Sequence, residues 1–286
     1  MVFNSESWTV LSPIELDIKK KVEIIGTPLK NWDIKIYRGI LTGYNEAFII
    51  DEKTKDELVQ KSSSTDLSEI IRPILRGRDI QKYNADWQNL YLISTFPSLK
   101  VEIDNYPQIK EYLLSFDYDR LKQTGEKGAR KKTSNKWFET QDQIGYWRDF
   151  DMPKIIWKRI GSAIRFSYDE SKVVCLDSTC FAVGTDLKFI LGFLNSTISK
   201  RELLNNAPKT GTGDVITSVQ ALEPLLIPKI DEYQKNQIIQ LVDKCIELSG
   251  KKFINEISLI EKKIDEIFYN AYGFSDDEIK YLSTPF

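Results

Sequence analysis

The stretch DIKIYRGI, Asp33 to Ile40, alternates apolar with polar side chains and is rich in β-branched and aromatic residues, the period-two pattern of a half-buried strand. It runs into a turn cluster, Gly39 to Asn45, and then into the short apolar stretch AFIID, Ala47 to Asp51. That order predicts strand, loop, strand. Working outward, the same signals predict strands at Leu90 to Thr95, Ile155 to Ile160, Ala163 to Tyr168, Val173 to Leu176 and Thr179 to Gly184. Helices are sparser in this part. Pro107 to Phe116 begins with Pro at a first-turn position, and Asp186 to Asn195 begins with an N-cap residue type.

After Pro224 and Pro228 the pattern changes. Between Asp231 and Leu248 the residues Ile238, Leu241, Val242, Cys245, Ile246 and Leu248 fall at helical spacing. A second helix carries Ile257, Ile260, Ile264, Ile267 and Phe268 on one face, keeps Glu256, Glu261, Lys262, Lys263, Asp265 and Glu266 on the other, and stops near Gly273. A third, after Ser275, covers Asp276 to Leu282. The fold class read from this is α+β: an irregular mixed-sheet domain over residues 1–228 followed by a helical tail over 229–286. No internal repeat or low-complexity run appears, and the nearest approach to a linker is Lys61 to Asp66, KSSSTD.

Composition narrows the chemistry. The chain has 286 residues, 41% apolar and 29% charged, enough to bury a sizeable core. With no apolar run near ~18 residues and no signal peptide, it reads as a soluble cytoplasmic protein with no membrane partner. Cys175, Cys180 and Cys245 are odd in number and at no metal-ligand spacing, which fits buried thiols. There is no histidine at all. Histidine-dependent triads, histidine-ligated zinc and imidazole base chemistry are thereby excluded.

The net charge of −2 hides a strong asymmetry. From Arg120 to Arg165 there are twelve Lys or Arg against five Asp or Glu, whereas Lys229 to Phe286 holds eight Lys against eleven acids. The positive field is local to the middle of the chain.

Enzyme signatures are missing. Gly39 to Gly43 and Gly211 to Gly213 do not form a phosphate-binding glycine loop. Asp265 with Glu278-Ile279-Lys280 matches a metal-nuclease pattern as text, but these residues fall in the C-terminal helices, where a solvated helix face is the better reading. No Pro-Pro pair exists for an adenine methyltransferase loop. The sequence therefore supports no catalytic residue, no metal site and no cofactor in this chain.

What it offers instead are groups suited to DNA: cations for phosphates, and amides, hydroxyls or planar groups for base edges. In RLKQTGEKGARKKTSNKW, Arg120 to Trp137, Gly125 and Gly128 predict a mobile loop in which Arg130, Lys131, Lys132 and Lys136 concentrate charge. Trp137, Tyr146 and Trp147 follow, and for Trp137 packing is the stronger expectation. Thr42, Tyr44 and Asn45 lie on a short loop where plain turn chemistry is the alternative. Lys209, Thr210 and Thr212 form a second polar loop, KTGTG. Lys158 and Arg159 sit on the predicted strand IIWKRI, where alternation sends them to opposite faces.

Several segments together resemble the target-recognition domain of TaqI-like adenine-N6 DNA methyltransferases and related type IIG restriction-modification enzymes, and more distantly the specificity subunits of type I systems. They are Gly39 to Ile50, Ile71 to Ile80 with its Gly77-Arg78-Asp79-Ile80, Lys136 to Glu139, Pro153 to Ile156, Leu191 to Ser196, Leu225 to Pro228, Ile264 to Tyr269 and Tyr272 to Glu278. They occur in the family's order over nearly the whole chain. The resemblance implies recognition of a short double-stranded DNA site and adds Arg76 to the candidate DNA-binding residues. The methyltransferase half of the full-length pattern is missing, so it also implies that S-adenosylmethionine and catalysis belong to a methyltransferase or endonuclease domain acting in cis or in trans. A protein-interaction module docking through the C-terminal helices is the rival reading, and a nuclease with unrecognised carboxylates a third.

Overall fold

A computed structural model describes residues 11–62, 66–251 and 253–284. The linker-like run Lys61 to Asp66 therefore lies partly outside the described residues. The chain divides into two compact units that interleave along the sequence, one built of residues 34–187 and 208–219, the other of 1–33, 188–207 and 220–286.

The helical unit begins with α1 (Pro13–Ile25), whose Ser12 and Glu15 form a reciprocal capping box with Pro13 in the first turn, a start signal legible in Ser-Pro-x-Glu. A two-stranded antiparallel ribbon follows, β1 (Gly26–Pro28) with β12 (Leu226–Pro228). The remaining helices are α6 (Leu187–Leu194), α7 (Thr197–Asn206), the single turn α8 (Val219–Leu222), α9 (Glu232–Gly250), α10 (Ile254–Tyr272) and α11 (Asp276–Ser283). The expected tail helices thus form, and their apolar stripes bury Ile238, Val242 and Cys245 of α9 and Ile257, Ile264 and Phe268 of α10. A Cβ on Gly192 of α6 would stand 2.8 Å from Ile238 Cγ2 and 3.1 Å from Val242 Cγ2, so α6 and α9 meet at glycine distance.

The other unit is built on sheets. Its central sheet is antiparallel, in the order β2 (Ile34–Arg38), β10 (Thr179–Gly184), β6 (Lys154–Lys158), β8 (Phe166–Asp169). A second four-stranded sheet, in the order β3 (Ile49–Asp51), β5 (Leu90–Ile93), β4 (Ile71–Leu75), β9 (Val174–Cys175), is mixed because β4 and β9 run parallel. A short ribbon joins β7 (Ile160–Gly161) to β11 (Val215–Ile216). The helical pieces are α2 (Asn45–Phe48), α3 (Glu52–Lys61), α4 (Pro107–Leu114) and α5 (Tyr118–Leu121). One apolar cluster, including Phe48, Ile74, Phe96, Phe150, Ile156 and Phe181, fills the interior.

Two strand expectations are corrected. Ala47 to Asp51 opens as the helical turn α2 because the Tyr44 carbonyl accepts both Ala47 N–H and Phe48 N–H, and only Ile49 to Asp51 pair as strand. IIWKRI is divided at Arg159 into β6 and β7, although Arg159 N–H still donates to the Ser178 carbonyl at 2.9 Å in the register of β6 with β10. Among the described residues no helix is long and apolar enough to cross a membrane.

Candidate nucleic-acid interface

One end of the central sheet collects most of the polar candidates. Arg38 is the last residue of β2, Lys158 the last of β6 and Thr179 the first of β10, and the register sets Cys180 opposite Arg38 and Thr179 opposite Lys158. The turn Leu176 to Ser178 enters β10 at this end. It is tied to the neighbouring strands by Leu176 N–H to the Leu75 carbonyl (2.9 Å) and Asp177 N–H to the Ile40 carbonyl (2.9 Å).

On one side of this end, the loop after β2 docks on the basic segment. Gln141 N–H reaches the Leu41 carbonyl at 3.1 Å, and Arg130 Nη1 donates to the Thr42 carbonyl at 2.8 Å. Arg130 does not wait for a phosphate, and the expectation for it is corrected. It is 4% exposed, and its guanidinium donates to the carbonyls of Leu121 (3.0 and 2.7 Å), Thr42 (2.8 Å), Glu139 (2.8 Å) and Trp137 (2.6 Å). Those hydrogen bonds match the five N–H donors of an arginine. Burial pulls its pKa down to about 10, with the Glu139 carboxylate opposing, so it remains charged at neutral pH. Beyond α5 the segment holds no helix or strand, and one cation satisfies carbonyls that a ladder would otherwise pair.

Nor is the segment the mobile loop the glycines suggest. Gly125 N–H donates to the Arg130 carbonyl, Arg130 N–H to that of Lys122 and Thr133 N–H to that of Gln123, at 3.0, 2.9 and 3.0 Å. Gly125 adopts φ +76°, and a Cβ there would press on Lys132 at 2.9 Å, so the glycine serves a tight crossing. Lys131, Lys132 and Lys136 remain exposed on the rim of this closed loop.

Thr42 is fully buried. Its hydroxyl donates to Asn45 Oδ1 at 2.6 Å and accepts Tyr44 N–H at 3.1 Å, which is turn chemistry, and the expectation of a DNA contact from its side chain is corrected. Tyr44 is half-buried under the Arg120 guanidinium, 4.4 Å from its ring centre, while Asn45 is exposed. Trp137 packs edge-on against Tyr118 and Phe138 at 5.6 and 5.5 Å, as a packing residue does. Arg76 grips Asp79 with both ends of its fork, at 3.0 and 2.9 Å, and holds the turn after β4.

On the other side of this end, Gly77 N–H donates to the Ser178 hydroxyl at 2.9 Å. A Cβ on Gly77 would lie 2.9 Å from the Ser178 carbonyl oxygen and 3.0 Å from Lys158 Cγ, so this approach requires glycine. Lys158 is exposed and Arg159 half-buried, and Arg159 Nε is buried without a hydrogen-bond partner among the described residues. Thr217 donates its hydroxyl to the Lys158 carbonyl at 2.7 Å. The pairing of β7 with β11 carries the loop of Lys209, Thr210 and Thr212 to the same strand end, with Lys209 bridged to Val215 and the two threonine hydroxyls 2.9 Å apart. Lys209 and Thr212 are exposed.

Between the two sides lie residues that sequence reasoning missed: Arg38, Asp142 and Asp177. Arg38 Nη2 stands 3.3 Å from Asp177 Oδ2. Burial raises the pKa of Asp142, with Arg38 and Lys131 pulling the other way and Asp177 adding to the rise. The Tyr146 hydroxyl donates to the Arg38 carbonyl at 2.7 Å, and its ring stacks on Tyr37 at 4.4 Å. An arginine closing a strand just before a turn glycine was the available signal.

The cysteines take no part. Burial pushes the thiols of Cys175 and Cys180 up to about 12 and about 11. The nuclease-like residues have structural partners: Asp265 accepts Thr197 N–H and hydroxyl at 2.9 and 2.5 Å, and Glu278 accepts Lys21 at 2.7 Å.

Residues 72–225 match the family model of the TaqI-like C-terminal specificity domain. The chain belongs to this family. The family is one of specificity domains. Among solved structures, the specificity-domain chain is similar to the type IIL restriction-modification enzyme MmeI, solved in complex with DNA, at 13% identity and a TM-score of 0.58 over 90% of this chain and 36% of that one. It is also similar to the type IIG restriction endonuclease BpuSI, at 16% identity and a TM-score of 0.54 over 92% of this chain and 34% of that one. The specificity domain thus spans about a third of the length of either enzyme. A comparison with curated protein sequences gave no match.

Proposed function

We propose that the chain selects a short double-stranded DNA site through the end of the central sheet where β2, β6 and β10 meet, on behalf of an adenine-N6 methyltransferase or type IIG restriction-modification enzyme. The observation that carries this reading is that exposed lysines flank one strand end: Lys158 closes β6, Lys209 is brought there by the pairing of β11 with β7, and Lys131 lies within electrostatic reach of Asp142. Cations at the rim suit phosphates, and fixed side chains in the middle suit base edges. On this reading Asn45, Thr210 and Thr212 contact the DNA backbone or groove. S-adenosylmethionine and the reacting groups belong to a methyltransferase or endonuclease domain joined in cis or bound in trans.

The test is selection of bound duplexes from a randomised pool by the full chain, with fluorescence anisotropy on the winning and a scrambled duplex across a salt series. The expected result is one short enriched motif, and affinity that falls log-linearly with salt at a slope of about −0.9 per neutralised phosphate. An unenriched pool, with the two duplexes bound alike, would refute it.

A further inference from the structure

The arginines of the strand end differ in how their forks are occupied. Arg130 has all five donors on backbone carbonyls, and Arg76 closes on Asp79. Two arginines here are not so occupied: Arg159 is half-buried, with its Nε enclosed and without a partner among the described residues, and Arg38 is the more open one. One of its nitrogens, Nη2, meets Asp177 at 3.3 Å, while Nε and Nη1 have no hydrogen-bond partner among the described residues. Its side chain is 43% exposed and that of Asp177 26%. The backbone beneath is fixed, with the Arg38 carbonyl taken by Tyr146, Gly39 N–H bonded to the Thr179 carbonyl at 3.0 Å and Ile40 N–H to the Cys175 carbonyl at 2.7 Å. An arginine tethered at one corner, on a rigid strand end, presents a planar donor edge in a set direction.

Local charge says what that edge suits. Asp177 and Asp142 both lie within electrostatic reach of Arg38, with Lys131 also acting on Asp142, so the charge of Arg38 is already countered by carboxylates and a phosphate gains less there. The lysines that suit phosphates stand to either side. A neutral base edge with two acceptors does not meet that repulsion, and the two adjacent acceptors of the major groove are guanine O6 and N7, the pair an arginine fork matches.

We propose that Arg38 reads a guanine of the DNA site as a specificity-determining residue, with Asp177 as the positioning residue that aims it. The assignment rests on the DNA-recognition reading above. It differs from a phosphate contact in what it predicts, since removing a phosphate contact weakens all duplexes alike and removing a base contact erases one position.

The experiment is the same randomised-duplex selection, run with the full chain carrying Arg38→Ala, Arg38→Lys, Asp177→Asn or Lys131→Ala beside the wild type, each checked by thermal melting. The wild type should enrich a motif with at least one fixed G·C pair. Arg38→Ala should flatten one G·C position and lower affinity for the wild-type motif roughly 5- to 150-fold, with little change on duplexes altered at that position. Arg38→Lys keeps the charge without the fork and should lose the same preference while holding the salt slope, which decides the matter should Arg38→Ala fail to fold. Asp177→Asn should blur that position partly, and Lys131→Ala should weaken every sequence equally. If the Arg38 variants keep the wild-type motif intact, or lose affinity uniformly, the assignment is overturned and DNA recognition stands. If the wild type enriches nothing, the recognition reading falls, and this assignment with it.

Discussion

In α9 and α10 the residues Ile238, Val242, Cys245, Ile257, Ile264 and Phe268 recur at helical spacing and are buried, whereas the loop from Leu121 to Glu139 is closed around a single guanidinium bonded to four backbone carbonyl groups. Both are stably organised. In α9 and α10 the interior backbone groups are paired within their own helix, and apolar side chains supply the cohesion between helices. In the loop no regular ladder exists, and a buried cation takes the place of the ladder. Order in a cation-rich loop therefore does not require that all of its cations be available to a ligand.

The largest effects should come from the residue at the centre of each region. Arg130→Ala leaves the carbonyls of Leu121, Thr42, Trp137 and Glu139 without their donor, and should destabilise folding by about 3–5 kcal/mol. Ile264→Asp places a carboxylate at a site 1% exposed and should cost a similar ~3–4 kcal/mol. Urea unfolding measures both. The comparison sharpens with a second substitution in each region: Arg130→Lys should recover only part of the loss, because an ammonium cannot span carbonyls on several sides, whereas Ile264→Leu should recover most of it. Full rescue by Arg130→Lys would show that charge alone, without the fork, organises the loop.

This contrast also explains what could be read in the sequence. The tail helices were legible since their signal is periodic and local, and Thr179 to Gly184 appears as the strand that was expected. α1 and α3 were passed over: α1 announces itself through a capping box and not through periodicity, and α3, EKTKDELVQK, carries one buried residue, Leu58. In the site, Lys131, Lys132, Lys158 and Lys209 were legible as exposed cations. Arg130 was not distinguishable from Lys131 and Lys132 beside it. Its burial depends on carbonyls up to 88 residues away, and no local pattern encodes such partners. Arg38 and Asp177, 139 positions apart, escaped for the same reason.

A smaller effect separates the regions by pH. In the helical unit Glu278 is buried, which raises its pKa, but Lys21 and the Ser275 N–H and hydroxyl overcome this and hold it below the usual carboxylate value. A carboxylate with a lowered folded pKa binds fewer protons folded than unfolded. Its contribution is therefore present above the unfolded pKa and lost as pH falls through the folded one. Glu278→Gln should cost about 1–2 kcal/mol near neutrality and should flatten the acid limb of the stability profile. A variant whose stability falls with acid as steeply as the wild type would remove Glu278 from that limb.

The smallest change in stability, and the one most informative about DNA, is expected at the lysines next to Arg130. Lys131 and Lys132 are exposed on the loop that Arg130 closes, so replacing both with Ala should leave the unfolding free energy within about 0.5 kcal/mol of wild type. Their charge is then removed without disturbing the loop, which no substitution of Arg130 achieves. If they meet phosphates, affinity should drop by a similar factor on the selected and the scrambled duplex, and the slope of log K against log salt should become shallower by about 0.9 for each phosphate no longer neutralised. Discrimination between the two duplexes should stay as it was. Anisotropy titrations of wild type and double variant across the same salt series give all three quantities. An unchanged slope would move the phosphate-binding rim to the other side of the sheet end, where Lys158 and Lys209 stand, and the loop would then contribute only the frame that Arg130 builds.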